Sequence, residues 1–283
     1  MSESFINLLP GIIIKILRKI RDIIFILLEP FDYCCRLING KKDFPPLYLR
    51  RYIGPLKTFE MSGSEFLVYL KIITGFLPDE RILDIGCGCG VIAIFLNEFT
   101  GFSGKYYGVD IHRSSINWCK KNINSKNSKF KFSHIDVRNE QYNPKGKQSP
   151  KEYKFPFENS CFDVILLKSV FTHMLPEEVE NYFREIARLL SPGGRCLATF
   201  FLLNEKQKEF ENKGMNKNSF VFGNDICWYA YKNSPESAVA YNENFIMDIL
   251  KQNGLALKQP VMYGWWSGRE DGISFQDMVL IGK

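Results

Sequence analysis

The stretch Arg81-Ile-Leu-Asp-Ile-Gly-Cys-Gly-Cys-Gly90 decides the fold of this chain. Its apolar residues up to Asp84 predict a buried strand, and the glycines that follow predict a sharp turn. Residues 91–96, Val-Ile-Ala-Ile-Phe-Leu, then begin a helix. A strand, a glycine turn and a helix in this order present free backbone N–H groups and a helix N-terminus to a ligand.

The glycine spacing argues against a dinucleotide as that ligand. The dinucleotide fingerprint G-x-G-x-x-G needs a third glycine where this chain has Val91. A carboxylate at the end of the strand, Asp84, would repel a pyrophosphate but attract a cationic ligand. The turn therefore predicts a ligand that carries positive charge.

The segment Leu83-Asp-Ile-Gly-Cys-Gly88 resembles motif I of the class I S-adenosylmethionine-dependent methyltransferases. This resemblance implies an α/β fold with a seven-stranded, mostly parallel Rossmann-like sheet and an antiparallel last strand. It also implies S-adenosylmethionine as cofactor and S-adenosylhomocysteine as product. No metal ion is expected.

Two further acids follow predicted strands in the same way as Asp84. Asp110 ends the strand 104–110, and Asp136 follows the strand 129–135. Open α/β sheets bind ligands at the carboxyl ends of their strands, and an acid about 20 residues after a glycine turn can accept ribose hydroxyls. The resemblance assigns Asp110 to the ribose, and it assigns Asp84 with the glycine turn to the amino-acid end. The cofactor contacts expected in this way are Asp84, Gly86, Cys87, Gly88, Asp110, Ile111, Asp136, Val137 and Lys168.

The loop after the strand 160–167 resembles motif IV of the same family, where substrate and methyl donor meet. It contains Lys168 and His173. Histidine suits proton transfer at neutral pH, so His173 is the candidate general base for an oxygen acceptor. The alternative is a structural histidine that caps a helix or contacts the cofactor.

Composition and cysteine usage set broad limits. The chain has 283 residues, of which 45% are hydrophobic, and this composition indicates a full core. Its eight cysteines show no repeated zinc spacing, so we expect reduced thiols in a cytoplasmic protein.

Residues 1–58 form an N-terminal extension with ten Lys or Arg against five Asp or Glu, which holds most of the net charge of +6. Apolar residues at helical spacing predict an amphipathic helix over 11–29. Five charges between Lys15 and Asp22 argue against a membrane span. Two alternatives stay open for residues 5–30: peripheral attachment to a membrane surface, or packing on the domain or on a second copy in a homodimer.

Residues 41–57 contain prolines that predict an irregular segment. Such a segment often forms a lid in small-molecule methyltransferases, and Tyr48, Arg51 and Tyr52 are candidate substrate contacts. A solvated linker is the alternative. Residues 59–283 are expected to form the methyltransferase domain.

Residues 205–235 are expected to be an insertion on the substrate side of the domain, with a hairpin packed on the core as the alternative. Aromatic rings stack on sugars and other rings, and arginine binds anions. The candidate acceptor contacts toward the C-terminus are Trp228, Trp265, Trp266 and Arg269.

These features predict methyl transfer to a small-molecule, glycan or lipid-linked acceptor, with oxygen as the favoured atom. RNA or protein methylation is an alternative, although the chain has no [DNS]-P-P-[YFW] sequence after the fourth strand and no basic-aromatic module beyond its N-terminus. A nucleic-acid partner is therefore not expected. A further alternative is an inactive scaffold that binds a membrane or a partner.

Overall fold

The computed structural model describes residues 20–54 and 58–283. The helices are α1 (Glu29–Ile38), α2 (Leu47–Arg50), α3 (Phe59–Ile72), α4 (Val91–Glu98), α5 (Arg113–Cys119), α6 (Pro176–Leu189), α7 (Glu205–Asn212) and α8 (Glu243–Gln252). The strands are β1 (Arg81–Ile85), β2 (Lys105–Asp110), β3 (Phe130–His134), β4 (Phe162–Leu167), β5 (Leu190–Phe200), β6 (Leu202–Leu203), β7 (Phe222–Gly223), β8 (Cys227–Tyr229), β9 (Val239–Asn242), β10 (Ala256–Leu257) and β11 (Asp277–Gly282).

A seven-stranded sheet forms the centre of the molecule, in the order β10-β11-β5-β4-β1-β2-β3. Strands β3, β2, β1, β4 and β5 run parallel, while β11 is antiparallel to β5 and β10 is antiparallel to β11. The predicted fold class is confirmed. The carboxyl ends of the parallel strands therefore lie along one edge, where ligands bind in such sheets.

Strand β1 is central because its residues are apolar on both faces. Ile82, Leu83 and Ile85 are all buried, and so is Asp84 between them. A strand covered by helices on both sides reads as a continuous apolar run, and this pattern made β1 visible in the sequence. The two faces of the sheet pack in two separate apolar clusters, one with α6 and α8 and one with α3 and α4.

Residues 191–194, Ser-Pro-Gly-Gly, have a composition typical of a turn but lie inside a strand. Strand β5 begins at Leu190, and its pairing with β4 jumps from Phe162 opposite Leu190 to Val164 opposite Arg195. The intervening residues form a bulge in which Gly193 has a φ of +76°. A bulge accommodates the Pro-Gly-Gly sequence without ending the strand.

The insertion expected over 205–235 contains α7 and the hairpin of β7 and β8. This hairpin joins β6 and β9 in a second, four-stranded sheet of order β6-β9-β8-β7. The sheet packs around Phe201, Phe220 and Trp266, which are all buried.

The N-terminal part of the described chain is helical over residues 20–27 and again in α1. Part of the expected helix 11–29 and most of the expected surface segment 5–30 lie outside the described residues. Over 20–54 and 58–283, no helix has the length and apolar character required to cross a bilayer.

Candidate active site at the carboxyl edge of the sheet

The glycine turn after β1 is held against the end of β2. The Gly86 amide donates to the carbonyl of Val109 at 2.8 Å, and the Gly88 amide donates to the Asp110 carboxylate at 2.7 Å. Gly88 has a φ of +54°, a left-handed conformation that glycine adopts without a Cβ penalty. The turn therefore brings Asp84 and Asp110 to one site.

Asp84 is buried at the end of β1, with one unsatisfied oxygen. Its Oδ2 accepts from the Tyr106 hydroxyl, whereas its Oδ1 has no hydrogen-bond partner among the described residues. Burial raises the pKa of Asp84 to about 7, and the positive charge of Lys168 opposes that shift. A buried acceptor without a donor matches an incoming ammonium group.

Lys168 follows β4 and lies against α3. Its Nζ donates to the Ser62 carbonyl at 3.1 Å and also contacts the Ser62 hydroxyl. Burial lowers the pKa of Lys168 to about 8, although Glu65 and Asp84 favour its charged form. The charges of Lys168 and Asp84 thus influence each other, while the hydrogen bonds of Lys168 go to Ser62.

Asp110 presents its carboxylate to the backbone of the turn and of the following loop. Oδ2 accepts from Gly88 and Oδ1 accepts from the His112 amide at 2.6 Å. Burial raises the pKa of Asp110, and these amides oppose the shift. These contacts fix the orientation of the carboxylate that the resemblance assigns to the ribose.

Four other predicted cofactor residues follow strands at this carboxyl edge of the sheet. Asp136 accepts from the Asn143 amide at 3.4 Å, and Val137 is buried next to it. Ile111 is partly buried and packs on the core. Cys87 is buried, and burial raises its pKa strongly, so only its backbone can serve a ligand at the turn.

Part of the segment 41–57, for which a lid and a linker were the alternatives, lies against the glycine turn. A Cβ built on Gly88 would lie 2.5 Å from Ile53 Cδ1, so Ile53 packs directly on the turn. The Tyr52 ring lies 4.4 Å from the His112 ring, and Tyr48 is half-buried against the core. Arg51 stacks over Tyr52 at 3.9 Å. His112 had no role in the sequence interpretation, and its packing under Tyr52 is visible only in three dimensions.

His173 ends a short 3-10 turn, Phe171–His173, after β4. Its Nδ1 donates to the Glu236 carbonyl at 2.9 Å, and its Nε2 lies 3.4 Å from the Tyr142 hydroxyl. Burial lowers the pKa of His173, so the neutral form is favoured at pH 7. The Asn139 amide, three residues after Asp136, donates to the His173 carbonyl at 3.0 Å. His173 therefore lies beside the loop that follows Asp136.

Sequence reasoning missed a polar cluster at the ends of β4, β5 and β11. Ser169 has a φ of +57°, which is strained for a residue with a Cβ. Its amide donates to the Thr199 hydroxyl at 2.7 Å, and both hydroxyls donate to Gln276 Oε1, at 2.8 and 2.7 Å. No local sequence signal marks such a position, because the strain is imposed by partners far apart in the chain.

A cavity of about 240 Å³ adjoins the start of β11. Its walls are Val261, Met262, Tyr263, Arg269, Asp271 and Ile273. The predicted contact Arg269 is thus placed in a cavity wall, with its guanidinium 4.2 Å above the Tyr263 ring. Trp265 is 44% exposed beside Phe275, and Trp228 is half-buried in β8.

Trp266 is not a substrate contact in this structure, and that expectation is corrected. Its side chain is 2% exposed and packs against Phe201 and Phe220. The indole N–H donates to Asp277 Oδ2 at 2.8 Å. An indole needs both apolar surroundings and an acceptor when it is buried, and the insertion core supplies them.

The site fits S-adenosylmethionine in two observable ways. Asp84 has a free acceptor for a cationic amino group, and Asp110 presents a fixed carboxylate. A Rossmann-like sheet with these groups at its carboxyl edge defines a class I methyltransferase domain.

Comparison with known proteins gives the same class. The sequence profile described as "Methyltransferase domain" matches residues 77–254. The chain therefore belongs to the methyltransferase domain family, and S-adenosylmethionine is its cofactor.

Individual relatives are distant and longer than the matched part. The chain is 29% identical over 142 residues to the tRNA N(3)-cytidine methyltransferase METTL2 of Gallus gallus, covering 50% of this chain and 35% of the relative. It is 29% identical over 154 residues to the sterol 24-C-methyltransferase erg6 of Schizosaccharomyces pombe, covering 52% and 34%. The PH0226 protein from Pyrococcus horikoshii shares the fold, with a TM-score of 0.52 and 15% identity over 81% of this chain and 92% of its own.

Proposed function

We propose that this protein transfers the methyl group of S-adenosylmethionine to an oxygen atom of a small acceptor that carries a negative charge. The observation that supports this proposal most directly is the cavity that contains Arg269. Its volume, about 240 Å³, lies near the lower end of small-molecule pockets, which begin at about 300 Å³. A small metabolite or the head group of a glycan or lipid fits this size.

One wall of the cavity contacts α3, the helix that also contacts Lys168 at the end of β4. Ile273 lines the cavity, and its carbonyl accepts from the Tyr69 hydroxyl. The same hydroxyl contacts Glu65, whose charge acts on Lys168 at the end of β4. The proposal requires the acceptor to extend from the cavity along α3 toward the loop after β4, where motif IV lies.

Arg269 gives the cavity its charge preference. The guanidinium stacks on Tyr263, and its Nε is buried without a hydrogen-bond partner. A planar guanidinium with a free donor suits a carboxylate or a phosphate on the acceptor. Asp271 also lines the cavity, so the anion would bind on the Arg269 side.

His173 is the residue we assign to the proton of the acceptor hydroxyl. The cofactor supplies an activated methyl group, so the protein needs only to align the acceptor and remove its proton. The Nδ1–H of His173 is committed to the Glu236 carbonyl, so the lone pair is on Nε2, where the acceptor hydroxyl would replace the Tyr142 hydroxyl now 3.4 Å away. The lowered pKa keeps this nitrogen unprotonated at neutral pH.

Methylation of tRNA is the second candidate, because one relative is a tRNA N(3)-cytidine methyltransferase. The chain spans about a third of that relative, so the acceptor does not carry over directly. Both candidates use the same cofactor site and differ in the acceptor alone.

The test is transfer of labelled methyl from S-adenosylmethionine into separated small-molecule, lipid, RNA and protein fractions. We expect label in a small-molecule or lipid fraction, and Arg269→Ala should raise the acceptor KM at least tenfold with little effect on cofactor affinity. Arg81→Ala, at the opposite edge of the sheet, is the matched control. Label in RNA alone, or an unchanged acceptor KM in Arg269→Ala, would contradict the small-acceptor proposal.

A further inference from the structure

The helical residues 20–38 turn their charged side toward the rest of the protein. The side chains that are not exposed recur at helical spacing and are Asp22, Phe25, Glu29, Asp32, Cys35 and Arg36. An ordinary surface helix buries its apolar face and exposes its polar face. In residues 20–38, by contrast, most charged side chains face inward and most large apolar side chains face outward.

The inward charges bind the segment 42–51. Arg36 pairs with Asp32 at 2.7 Å and donates to the Phe44 carbonyl at 2.8 Å. Glu29 accepts from the Leu47 amide at 2.8 Å. Asp32 also pairs with Arg50, and Asp22 pairs with Arg51 at 2.8 Å. The helix and the segment after it are therefore one connected unit.

The opposite side of the same helix is apolar and exposed. Ile23 is 56% exposed, Leu27 is 73% exposed, Phe31 is 72% exposed and Ile38 is 84% exposed. Ile20, Ile24, Ile26 and Leu28 add to this outward face. Contiguous exposed apolar surface of this kind marks a site of interaction.

The charges around the outward face identify the occupant as an anionic lipid surface. Among residues 20–42, the exposed charged side chains are Arg21 and Lys42, and the sequence just upstream contains Lys15, Arg18 and Lys19. The next exposed acid, Asp43, pairs with Lys126. Apolar side chains flanked by cations suit a bilayer with anionic head groups, whereas a second copy would bring the same cations against them.

The unit formed by residues 20–38 and the segment 42–51 is also connected to the candidate cofactor site. Arg51 pairs with Asp22 of the helix and with the Tyr52 hydroxyl of the lid. Tyr52 packs on the ring of His112, two residues after Asp110, and Ile53 packs on Gly88. Ile53 thus covers the Gly88 side of the glycine turn, and its withdrawal would open that side to a ligand.

We propose that the outward face of residues 20–38 docks on an anionic membrane surface, and that docking draws Tyr52 and Ile53 away from the glycine turn and so favours cofactor binding. The coupling to the cofactor rests on the proposed function, whereas the docking itself does not. If the lipid surface binds more tightly to the protein with Tyr52 and Ile53 withdrawn, it increases the population of that conformation. The cofactor must then strengthen lipid binding by the same factor as the lipid strengthens cofactor binding.

Flotation with phosphatidylcholine vesicles, with and without about 30% phosphatidylglycerol, tests the docking. The wild type should float with the anionic vesicles, and the double variant Leu27→Asp, Phe31→Asp should lose at least tenfold in partitioning. The matched control is the double variant Ile72→Asp, Leu77→Asp. It also replaces two exposed apolar side chains by aspartates, but at the end of the sheet opposite the candidate site. Equal flotation of the two double variants would overturn the docking. So would a wild-type dimer that Leu27→Asp, Phe31→Asp converts to a monomer, without lipid binding by either form.

Calorimetry with S-adenosylhomocysteine, with and without the anionic vesicles, tests the coupling. Vesicles should tighten binding several-fold in the wild type and leave Leu27→Asp, Phe31→Asp unchanged. Asp22→Asn should float like the wild type and show a smaller vesicle effect, because it cuts the link to Arg51 and leaves the outward face intact. The coupling would be overturned if the wild type floats but the vesicles leave its affinity for S-adenosylhomocysteine unchanged or weaken it. Absence of binding under every condition would instead contradict the proposed function.

Discussion

The Asp84 carboxyl group is buried, has one unsatisfied oxygen and has a pKa raised to about 7. The pKa of Asp84 in the folded protein lies above the unfolded value of about 3.9, so the folded protein binds the proton more tightly. Asp84 therefore favours folding fully when the pH is below both pKa values. That stability is lost as pH rises through about 7. Asp84→Asn should therefore raise stability by a few kcal/mol at pH 8 relative to the wild type, and by much less at pH 5. Urea unfolding at both pH values measures the difference, and an equal effect at the two would contradict it.

A second prediction for a single residue concerns Asp110. Its carboxylate holds the Gly88 and His112 amides and is positioned for the ribose of the cofactor. Asp110→Ala should weaken S-adenosylhomocysteine binding by about 10- to 100-fold, because charge-assisted hydrogen bonds contribute about 1.5–3 kcal/mol. Asp43→Ala, an exposed acid paired with Lys126, is the control. Calorimetry should show wild-type affinity for the control, and equal affinities in the two variants would remove Asp110 from the site.

Single residues also show where sequence patterns reach their limit. The strand that ends in Asp84 and the turn at Gly88 could be predicted, because burial on both faces and a left-handed turn leave a direct mark in residue type. The left-handed Ser169 left no such mark, since its conformation is fixed by Thr199 and Gln276 from distant strands.

At the scale of elements, the neighbouring residues Trp265 and Trp266 show a similar limit. Both are aromatic and follow Gly264, yet Trp265 is 44% exposed and Trp266 is 2% exposed. The sequence placed both in an acceptor pocket, because it does not show that the second indole meets Asp277 from β11. For the same reason, the amphipathic N-terminal helix could be predicted, but the inward direction of its charged face could not.

The difference between the two tryptophans can be measured. Trp266→Ala removes a buried ring from the insertion core and leaves Asp277 without one donor, so it should destabilise the protein by about 3–5 kcal/mol. Trp265→Ala should cost about 1 kcal/mol or less, since surface changes have small effects. Thermal unfolding of both variants gives the comparison. A loss of stability in Trp265→Ala as large as in Trp266→Ala would contradict the assignment of core and surface.

At the scale of the whole molecule, the central sheet and the N-terminal unit 20–53 are held together differently. The sheet is joined by backbone ladders and by two large apolar clusters. The unit is held internally by ion pairs around Arg36, and it contacts the domain through a few apolar side chains such as Phe44 and Leu49. Regions with few buried apolar contacts open locally at low free-energy cost. The proposed lid movement therefore requires this unit to open while the sheet stays folded.

The variant Arg36→Met distinguishes local opening of the unit 20–53 from unfolding of the whole domain. Arg36 is 7% exposed and lies between Glu29 and Asp32, so its replacement leaves two carboxylates close together without their shared cation and the Phe44 carbonyl without its donor. Loss of one partner from such a buried pair costs about 3–5 kcal/mol, which exceeds the stability expected of a locally opening unit. Amide hydrogen exchange should accelerate at least tenfold over residues 20–53 and stay unchanged in β1, β2 and β4. Arg188→Met, which breaks a pair with Glu185 on α6, is the matched control and should leave exchange over 20–53 at the wild-type rate. Uniform acceleration across the sheet in Arg36→Met would show that the N-terminal unit unfolds only together with the domain, which is incompatible with its movement as a lid.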